Sequence, residues 1–158
     1  MIISDALSEP TLLTIEPEPT AVVRHTGVTI GDLPALFDAA YPAVAASGAA
    51  PIGPAFAIYH GDPSKVFDIE IGFPVAEPLG SVPGAVVPST LPPGPALALS
   101  HQGSYDTLPA GWDRLMAEAR SRGLTPLGWL EVYVTEPTPD LDPATLRSDL
   151  FLLVAEPS

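Results

Sequence analysis

One stretch of the sequence, GWLEVYVTEP, places a carboxylate between two aromatic residues. It is typical of a β-strand, on which alternate side chains point to opposite faces. Trp129, Glu131 and Tyr133 would then share one face, while aliphatic residues form the other. Aromatic rings attract cations, and a carboxylate beside them supplies a charge partner, a hydrogen-bond acceptor or a general base. The stretch therefore predicts a binding site or a catalytic site centred on Glu131.

The elements that position these residues come from an internal duplication. His25 matches His101, and Tyr59 matches Tyr133. Between these two matches, Leu33–Phe37 corresponds to Leu108–Trp112, and Gly48–Gly53 corresponds to Gly123–Gly128. The spacing between matched segments is nearly constant and changes by one position at a time, as loops allow. Each unit predicts the order strand, helix, strand, strand.

Two such units side by side predict an α+β fold, with one antiparallel sheet and both helices on one face. We expect the face under the helices to be dry and the other face to curve around a pseudo-twofold ligand groove. A single domain is predicted over residues 1–158, with the first repeat at about 11–76 and the second at about 95–155. The Pro- and Gly-rich linker at about 77–94 contains GAVVPST, which predicts an edge strand.

The composition limits the classes of function. The chain has 158 residues, and its 6 Lys and Arg against 19 Asp and Glu give a net charge of −13. This charge repels phosphate backbones, so we expect no direct nucleic-acid binding, whereas a basic protein partner is compatible with it. The chain has no cysteine, and its His, Asp and Glu residues lack metal-ligand spacing, so we predict no metal and no cofactor. Without a signal peptide or a long apolar run, we expect a cytoplasmic protein with no membrane contact.

The chain resembles the GyrI-like small-molecule-binding domains. The resemblance rests on the His-x-Gly-x-Tyr stretch at His101–Tyr105, the Gly-x-x-Pro-x-Gly turn at Gly123–Gly128, and the Glu-x-Tyr of Glu131 and Tyr133 before an acidic-Pro turn. FDIEIGFPV is similar to the close of the family's first half, so the resemblance spans residues 10 to 155. It implies a duplicated strand–helix–strand–strand fold with the Glu in a groove that binds bulky, often cationic or aromatic, compounds.

Members of that family are effector-binding domains of AraC- and MerR-type regulators, free-standing proteins and a gyrase inhibitor, and a free-standing subset hydrolyses cyclopropane-bearing alkylating toxins. Only a short leader precedes the first predicted strand of this chain, which leaves no room for a helix-turn-helix domain. The resemblance therefore implies a free-standing member that is not itself a DNA-binding regulator.

Glu131 stands at a position where the two repeats differ. Its equivalent in the first unit is Ala57, at the spacing that joins Tyr59 to Tyr133, so the tyrosine is present in both units and the carboxylate in one. A structural requirement of the repeat would be present in both halves, so the single carboxylate favours a ligand role. The alternative is that Trp129, Glu131 and Tyr133 form the solvent-exposed face of a half-exposed sheet.

We predict the following ligand-binding residues: Glu131, Tyr133, Tyr59, Trp129, Tyr105 and Trp112. Tyr105 has a helix-entry contact as its alternative, and Trp112, like its equivalent Phe37, is expected in the core with an edge toward the groove. Asp68 and Glu70 are expected on an exposed strand face.

Three functions remain open at this point. The first is binding, for sequestration or sensing, of hydrophobic, aromatic or cationic small molecules, with Glu131 as the polar anchor. The second is a hydrolase that detoxifies a strained electrophilic compound, with Glu131 and Tyr133 as catalytic residues that activate water and donate a proton. The third is an acidic module that binds a basic protein partner.

Overall fold

The computed structural model describes residues 6–48, 51–61, 65–77, 86–103, 107–135 and 142–155. Within these ranges the chain forms eight strands and two α-helices. They are, in order, β1 (Thr11–Ile15), β2 (Pro19–Val28), α1 (Leu33–Ala46), β3 (Phe56–His60), β4 (Phe67–Pro74), β5 (Val86–Thr90), β6 (Gly94–Gln102), α2 (Leu108–Arg122), β7 (Thr125–Tyr133) and β8 (Arg147–Ala155).

All of these strands belong to one antiparallel sheet, in the order β1-β6-β8-β7-β3-β4-β2-β5. The first unit of the duplication is β2, α1, β3 and β4, and the second is β6, α2, β7 and β8. Strands β3 and β7 lie side by side at the centre, and the other strands are arranged symmetrically about them. The predicted α+β fold with duplicated units is confirmed, and its pseudo-twofold axis passes between β3 and β7.

Strands β1 and β5 are exchanged between the units. β1 precedes the first unit in the chain but pairs with β6 of the second, and β5 precedes the second unit but pairs with β2 of the first. Each unit therefore holds the leading strand of the other, which ties the two halves into a single sheet. The sequence predicted a strand in the β5 region but not this exchange.

Both helices lie on the sheet face that carries Glu131. Helix α1 packs Ala40 and Val44 over the first unit, and helix α2 packs Leu115 and Ala119 over the second. Gly123 ends α2 with a φ of 70°, the left-handed conformation that only glycine adopts without strain. The helices therefore stand on either side of the central strands β3 and β7.

The prediction of a dry helix face and a groove on the opposite face is wrong. The opposite face is itself a core, in which Ile58, Leu130 and Phe151 are each 1% exposed or less. No helix among the described residues covers it. Ile15 at the end of β1 and Leu91 just after β5 pack into the same cluster from the two outer edges. The predicted groove therefore does not lie on this face, and the face that carries Glu131 is the one on which α1 and α2 pack.

Candidate functional site

Glu131 lies beside the pseudo-twofold axis. In the ladder between β3 and β7, Ala57 pairs directly with Glu131. These two residues are also equivalent in the duplication, at the same spacing that joins Tyr59 to Tyr133. When the symmetry exchanges the two residues of a pair, the midpoint between them lies on the axis, so the carboxylate stands beside the axis, where the two units meet.

Three hydrogen bonds hold the carboxylate of Glu131. The hydroxyls of Tyr59 and Tyr133 both donate to Oε1, over 2.9 and 2.7 Å, and the indole N–H of Trp112 donates to Oε2 over 2.8 Å. Glu131 is only 5% exposed. Hydrogen bonds to an ionised acceptor are stronger than those between neutral groups, so the three donors offset much of the cost of burying the charge.

No cation neutralises this carboxylate within the described part of the chain. The ion pairs found there involve other acids, namely Glu70, Glu118 and Asp149. The three donors to Glu131 are all neutral, so a negative charge on this carboxylate meets no compensating positive charge among the aromatic rings. Such a charge attracts a cation more strongly than an exposed one does, because little water screens it.

The two tyrosines act as neutral donors. Burial, and then the negative charge of Glu131, raise the pKa of Tyr59 and of Tyr133 well above the ordinary value of 10.0. Both hydroxyls therefore keep their protons over the physiological pH range and direct them at Oε1. A phenol whose proton is held in this way is a poor general acid, which argues against the predicted proton-donor role of Tyr133.

The structure brings together four of the six predicted site residues: Glu131, Tyr59, Tyr133 and Trp112. Trp129 is partly buried on the same face, opposite Tyr59, and packs against both helix-side cores. Within the described residues it makes no hydrogen bond to Glu131. Its contacts are packing contacts, so it is not one of the donors to the carboxylate. Tyr105 lies outside the described residues. Trp112 packs in the core as predicted, but the hydrogen bond from its indole was not foreseen.

An aromatic run that the sequence did not predict extends from Tyr133 along α1. The ring of Phe37 meets that of Tyr133 edge-on, with centroids 5.6 Å apart. Tyr41 continues the run to Phe73 on β4, with centroid distances of 6.0 Å from Phe37 and 5.7 Å to Phe73. The signal available in the sequence was the spacing of four between Phe37 and Tyr41, which places both on one helix face.

The corresponding positions of the second unit are chemically different. The duplication and the strand registers make these equivalents of Phe37, Tyr41 and Phe73: Trp112, Met116 and Leu152. The first unit therefore has three aromatic rings at these positions, whereas the second has an indole, a thioether and a fully buried aliphatic side chain.

A second polar cluster surrounds Glu70 on the opposite sheet face. Arg24 Nε donates to Oε1 over 2.9 Å, Ser89 Oγ donates to Oε1 over 3.2 Å, and His60 Nε2 lies 2.9 Å from Oε2. The bond with His60, together with Arg24, lowers the pKa of Glu70 to about 2, and the same bond raises the pKa of His60. These partners include the cation of Arg24 and occupy three acceptor positions of Glu70, so we assign the cluster a structural role.

The expectation that Asp68 and Glu70 share an exposed face is wrong for Glu70. Glu70 is 9% exposed, whereas Asp68 is exposed and accepts a hydrogen bond from the backbone N–H of Gly27. Arg24 and His60 reach Glu70 from the two neighbouring strands, and this compensation allows its burial.

Among the described residues, no group of three or more His, Asp or Glu side chains is arranged to hold a metal ion. Nor does that part of the chain contain a helix long and apolar enough to cross a membrane.

Comparison with known proteins gives a family match and several structures of the same fold. Residues 8–155 match the family model of the GyrI-like small molecule binding domain. No curated protein sequence matches the chain. The C-terminal domain of EcmrR superposes with a TM-score of 0.79 at 18% identity, over 96% of this chain and 99% of that one.

Two further structures share the fold at lower identity. SAV2435 bound to tetraphenylphosphonium has a TM-score of 0.69 at 9% identity, over 93% of this chain and 94% of its own. A hydrolase from Listeria innocua has a TM-score of 0.66 at 12% identity, over 96% of this chain and 94% of its own. At these identities the similarity shows the fold alone.

Proposed function

This chain belongs to the family of GyrI-like small-molecule-binding domains, and we propose that it binds hydrophobic cations that carry an aromatic group. The positive charge of the ligand is directed at Glu131. The observation that carries the proposal is a carboxylate that is 5% exposed, held by three neutral donors and paired with no cation in the described part of the chain.

The hydrogen bonds leave one direction of approach to the carboxylate. An ionised carboxylate has about four acceptor positions, and the two tyrosines and Trp112 occupy three of them. The remaining position belongs to Oε2, which also accepts from Trp112. A ligand with an N–H⁺ group donates there, whereas a quaternary cation is attracted by charge alone.

The aromatic walls favour the same class of ligand. A cation over an aromatic face gains about 0.5–2 kcal/mol, more where water is excluded. The run from Tyr133 through Phe37 and Tyr41 offers ring surfaces on the α1 side. We therefore expect the aromatic group of the ligand to lie on the α1 side. The binding of tetraphenylphosphonium by SAV2435, which shares the fold, supports a hydrophobic cation as the ligand class.

The hydrolase function is the second candidate, favoured by the fold shared with the Listeria innocua hydrolase. It fits the geometry less well. A general base at Glu131 would have only the one remaining position of Oε2 for water, because Oε1 already accepts two hydrogen bonds. The raised pKa of Tyr133 also makes its hydroxyl a weak proton donor. Binding without turnover, as sequestration or sensing in the cytoplasm, accounts for these contacts.

Titration of the tryptophan fluorescence tests the proposal, because Trp112 bonds the carboxylate directly. Tetraphenylphosphonium is expected to change the emission saturably and to bind at least about tenfold more tightly than neutral triphenylphosphine oxide, a difference of about 1.4 kcal/mol. Equal affinity for the two compounds would exclude a charge-directed site. Hydrolysis of a cyclopropane-bearing alkylating compound, lost in Glu131→Gln, would favour the second candidate.

A further inference from the structure

The two open edges of the sheet, β1 and β5, are equivalent in the duplication but differ in sequence. β1 pairs with β6 as β5 pairs with β2, and Thr14 corresponds to Thr90 at the spacing that joins His25 to His101. An edge strand presents a row of unpaired N–H and C=O groups to which another strand can add. The two edges can therefore be compared position by position.

At β1, every second residue directs its backbone groups away from the sheet. The N–H of Ser100 donates to the carbonyl of Leu7 over 2.9 Å, so the alternate residues of β6 that face β1 bond Thr11 and Leu13. Leu12 and Thr14 then point their N–H and C=O outward. No described residue bonds these groups, and the side chain of Leu12 is 40% exposed.

At β5, the outward position is blocked by a proline. The N–H of Leu91 donates to the carbonyl of Glu18 over 2.9 Å, so Ser89 faces β2 and Pro88 faces outward. Proline has no N–H to offer an added strand, and it is a common guard of sheet edges. The equivalent of Pro88 in β1 is Leu12, at the same spacing as Thr14 and Thr90. Among the described residues, the outward position is therefore blocked by a proline at β5 and is not blocked at β1.

The charges around β1 determine what fits this edge. Glu9 and Glu16 are exposed on its two sides, and Arg114 is engaged with the carbonyl of Ser8 at its start. The net charge of −13 opposes pairing with a second copy of this chain, whereas the exposed Glu9 and Glu16 attract a basic segment.

We propose that β1 is a docking edge for an extended basic segment of a partner protein. The segment adds to the sheet as a further strand, bonds the outward groups of Leu12 and Thr14, and places Lys or Arg near Glu9 and Glu16. An apolar side chain of the segment packs on Leu12. β1 lies three strands from β7, a distance of about 14 Å at strand spacings of about 4.8 Å, so docking and ligand binding can be measured separately.

A pair of synthetic peptides tests this proposal on the full chain. Both contain Thr-Val-Thr-Val-Thr, one flanked by two lysines at each end and the other by two glutamates. In fluorescence anisotropy, the basic peptide is expected to bind at least about tenfold more tightly than the acidic one and to weaken as salt is added. Amide hydrogen exchange is expected to slow at Leu12 and Thr14. Failure of the basic peptide to bind overturns the proposal.

The variant Leu12→Pro gives β1 a proline at the position equivalent to Pro88 of β5. It removes no bond of the sheet, because the N–H of Leu12 points outward, so the chain is expected to keep its circular dichroism and its binding of tetraphenylphosphonium. Peptide binding is expected to be lost, while Leu12→Val keeps it. Unchanged peptide binding by a folded Leu12→Pro variant overturns the proposal.

Charge reversal provides a second test that does not alter the strand. The double variant Glu9→Lys and Glu16→Lys is expected to reverse the preference, so that the acidic peptide binds more tightly than the basic one. Unchanged preference contradicts the proposal. Sedimentation equilibrium of the wild-type chain tests whether a second copy of this chain binds the edge instead. Dimers that Leu12→Pro abolishes would assign the edge to a second copy and overturn the proposal.

Discussion

Ala57 and Glu131 lie directly opposite each other in the central ladder and are equivalent in the duplication. The two units therefore place a methyl group and a carboxylate at equivalent positions on either side of the pseudo-twofold axis. The donors to this carboxylate are themselves equivalent in the duplication, since Tyr59 and Tyr133 both donate to Oε1 of Glu131. The duplicated fold thus holds a single charge between two matching donors.

The first prediction follows from this symmetry. Ala57→Glu alone should destabilise the chain, because Ala57 is fully buried and the new carboxylate would stand opposite Glu131. Ala57→Glu combined with Glu131→Ala should regain stability and bind tetraphenylphosphonium within about tenfold of wild type, about 1.4 kcal/mol. The binding is weaker than in wild type because Phe37, which takes the place of Trp112, has no N–H. Urea unfolding and fluorescence titration measure both effects, and a double variant that binds no better than Glu131→Ala would contradict the symmetry argument.

The second prediction concerns alkaline unfolding. The pKa values of Tyr59 and Tyr133 are raised above the unfolded value of 10.0, so the folded state holds these protons more tightly than the unfolded state does. The resulting stability is complete below pH 10 and is lost as the pH rises through the folded pKa values. We expect the free energy of unfolding to fall above pH 10, and to fall less steeply in Tyr59→Phe/Tyr133→Phe. Identical slopes would show that these tyrosines titrate as in the unfolded chain.

The third prediction separates the two tryptophans. Trp112→Phe leaves Oε2 of Glu131 without its donor, so we expect a loss of about 1–3 kcal/mol in the free energy of unfolding. Trp129→Phe removes a similar ring but no bond to the carboxylate, and serves as the matched control. In a Glu131→Ala background, the cost of Trp112→Phe should fall while that of Trp129→Phe stays the same. Equal costs of Trp112→Phe in both backgrounds would mean that the indole acts by packing alone.

The fourth prediction concerns the cluster around Glu70. The pKa of Glu70 is lowered to about 2, so its contribution to stability is present above pH 4.5 and is lost as the pH falls toward 2. The pKa of His60 is raised above 6.5, so its contribution is present below pH 6.5 and is lost as the pH rises through the raised value. His60→Gln should remove the loss of stability on the alkaline side of pH 6.5 and leave ligand binding unchanged. Urea unfolding from pH 3 to 9 measures this, and an unaltered profile would refute the coupling.

The features that could be predicted from the sequence are those that depend on the internal repeat. The nearly constant spacing of the matched segments predicted the two units, and the mismatch between Ala57 and Glu131 identified the axial carboxylate before its geometry was known. Strand periodicity also placed Trp129, Glu131 and Tyr133 on one face, as observed. These features succeed because each depends on local pattern or on direct comparison of the two halves.

Features could not be predicted from the sequence where two different structures fit the same pattern of polar and apolar residues. Both faces of β7 carry large apolar side chains, so periodicity could not decide which face the helices cover. The exchange of β1 and β5 depends on contacts between distant segments that leave no local signature. Glu70 looked exposed because its compensating partners, Arg24 and His60, lie on other strands. In each case the deciding contact is remote in sequence.

The most direct test of the central claim is a calorimetric titration of the wild-type chain and Glu131→Gln with tetraphenylphosphonium and with neutral triphenylphosphine oxide. The amide keeps the volume of the side chain and an acceptor for the tyrosines but removes the charge. We expect the variant to bind the cation about 10–100-fold more weakly, a loss of about 1.4–2.8 kcal/mol, and the neutral compound within about twofold of wild type. If the variant binds the cation as tightly as wild type, or loses affinity for both compounds equally, the charge of Glu131 does not select the ligand.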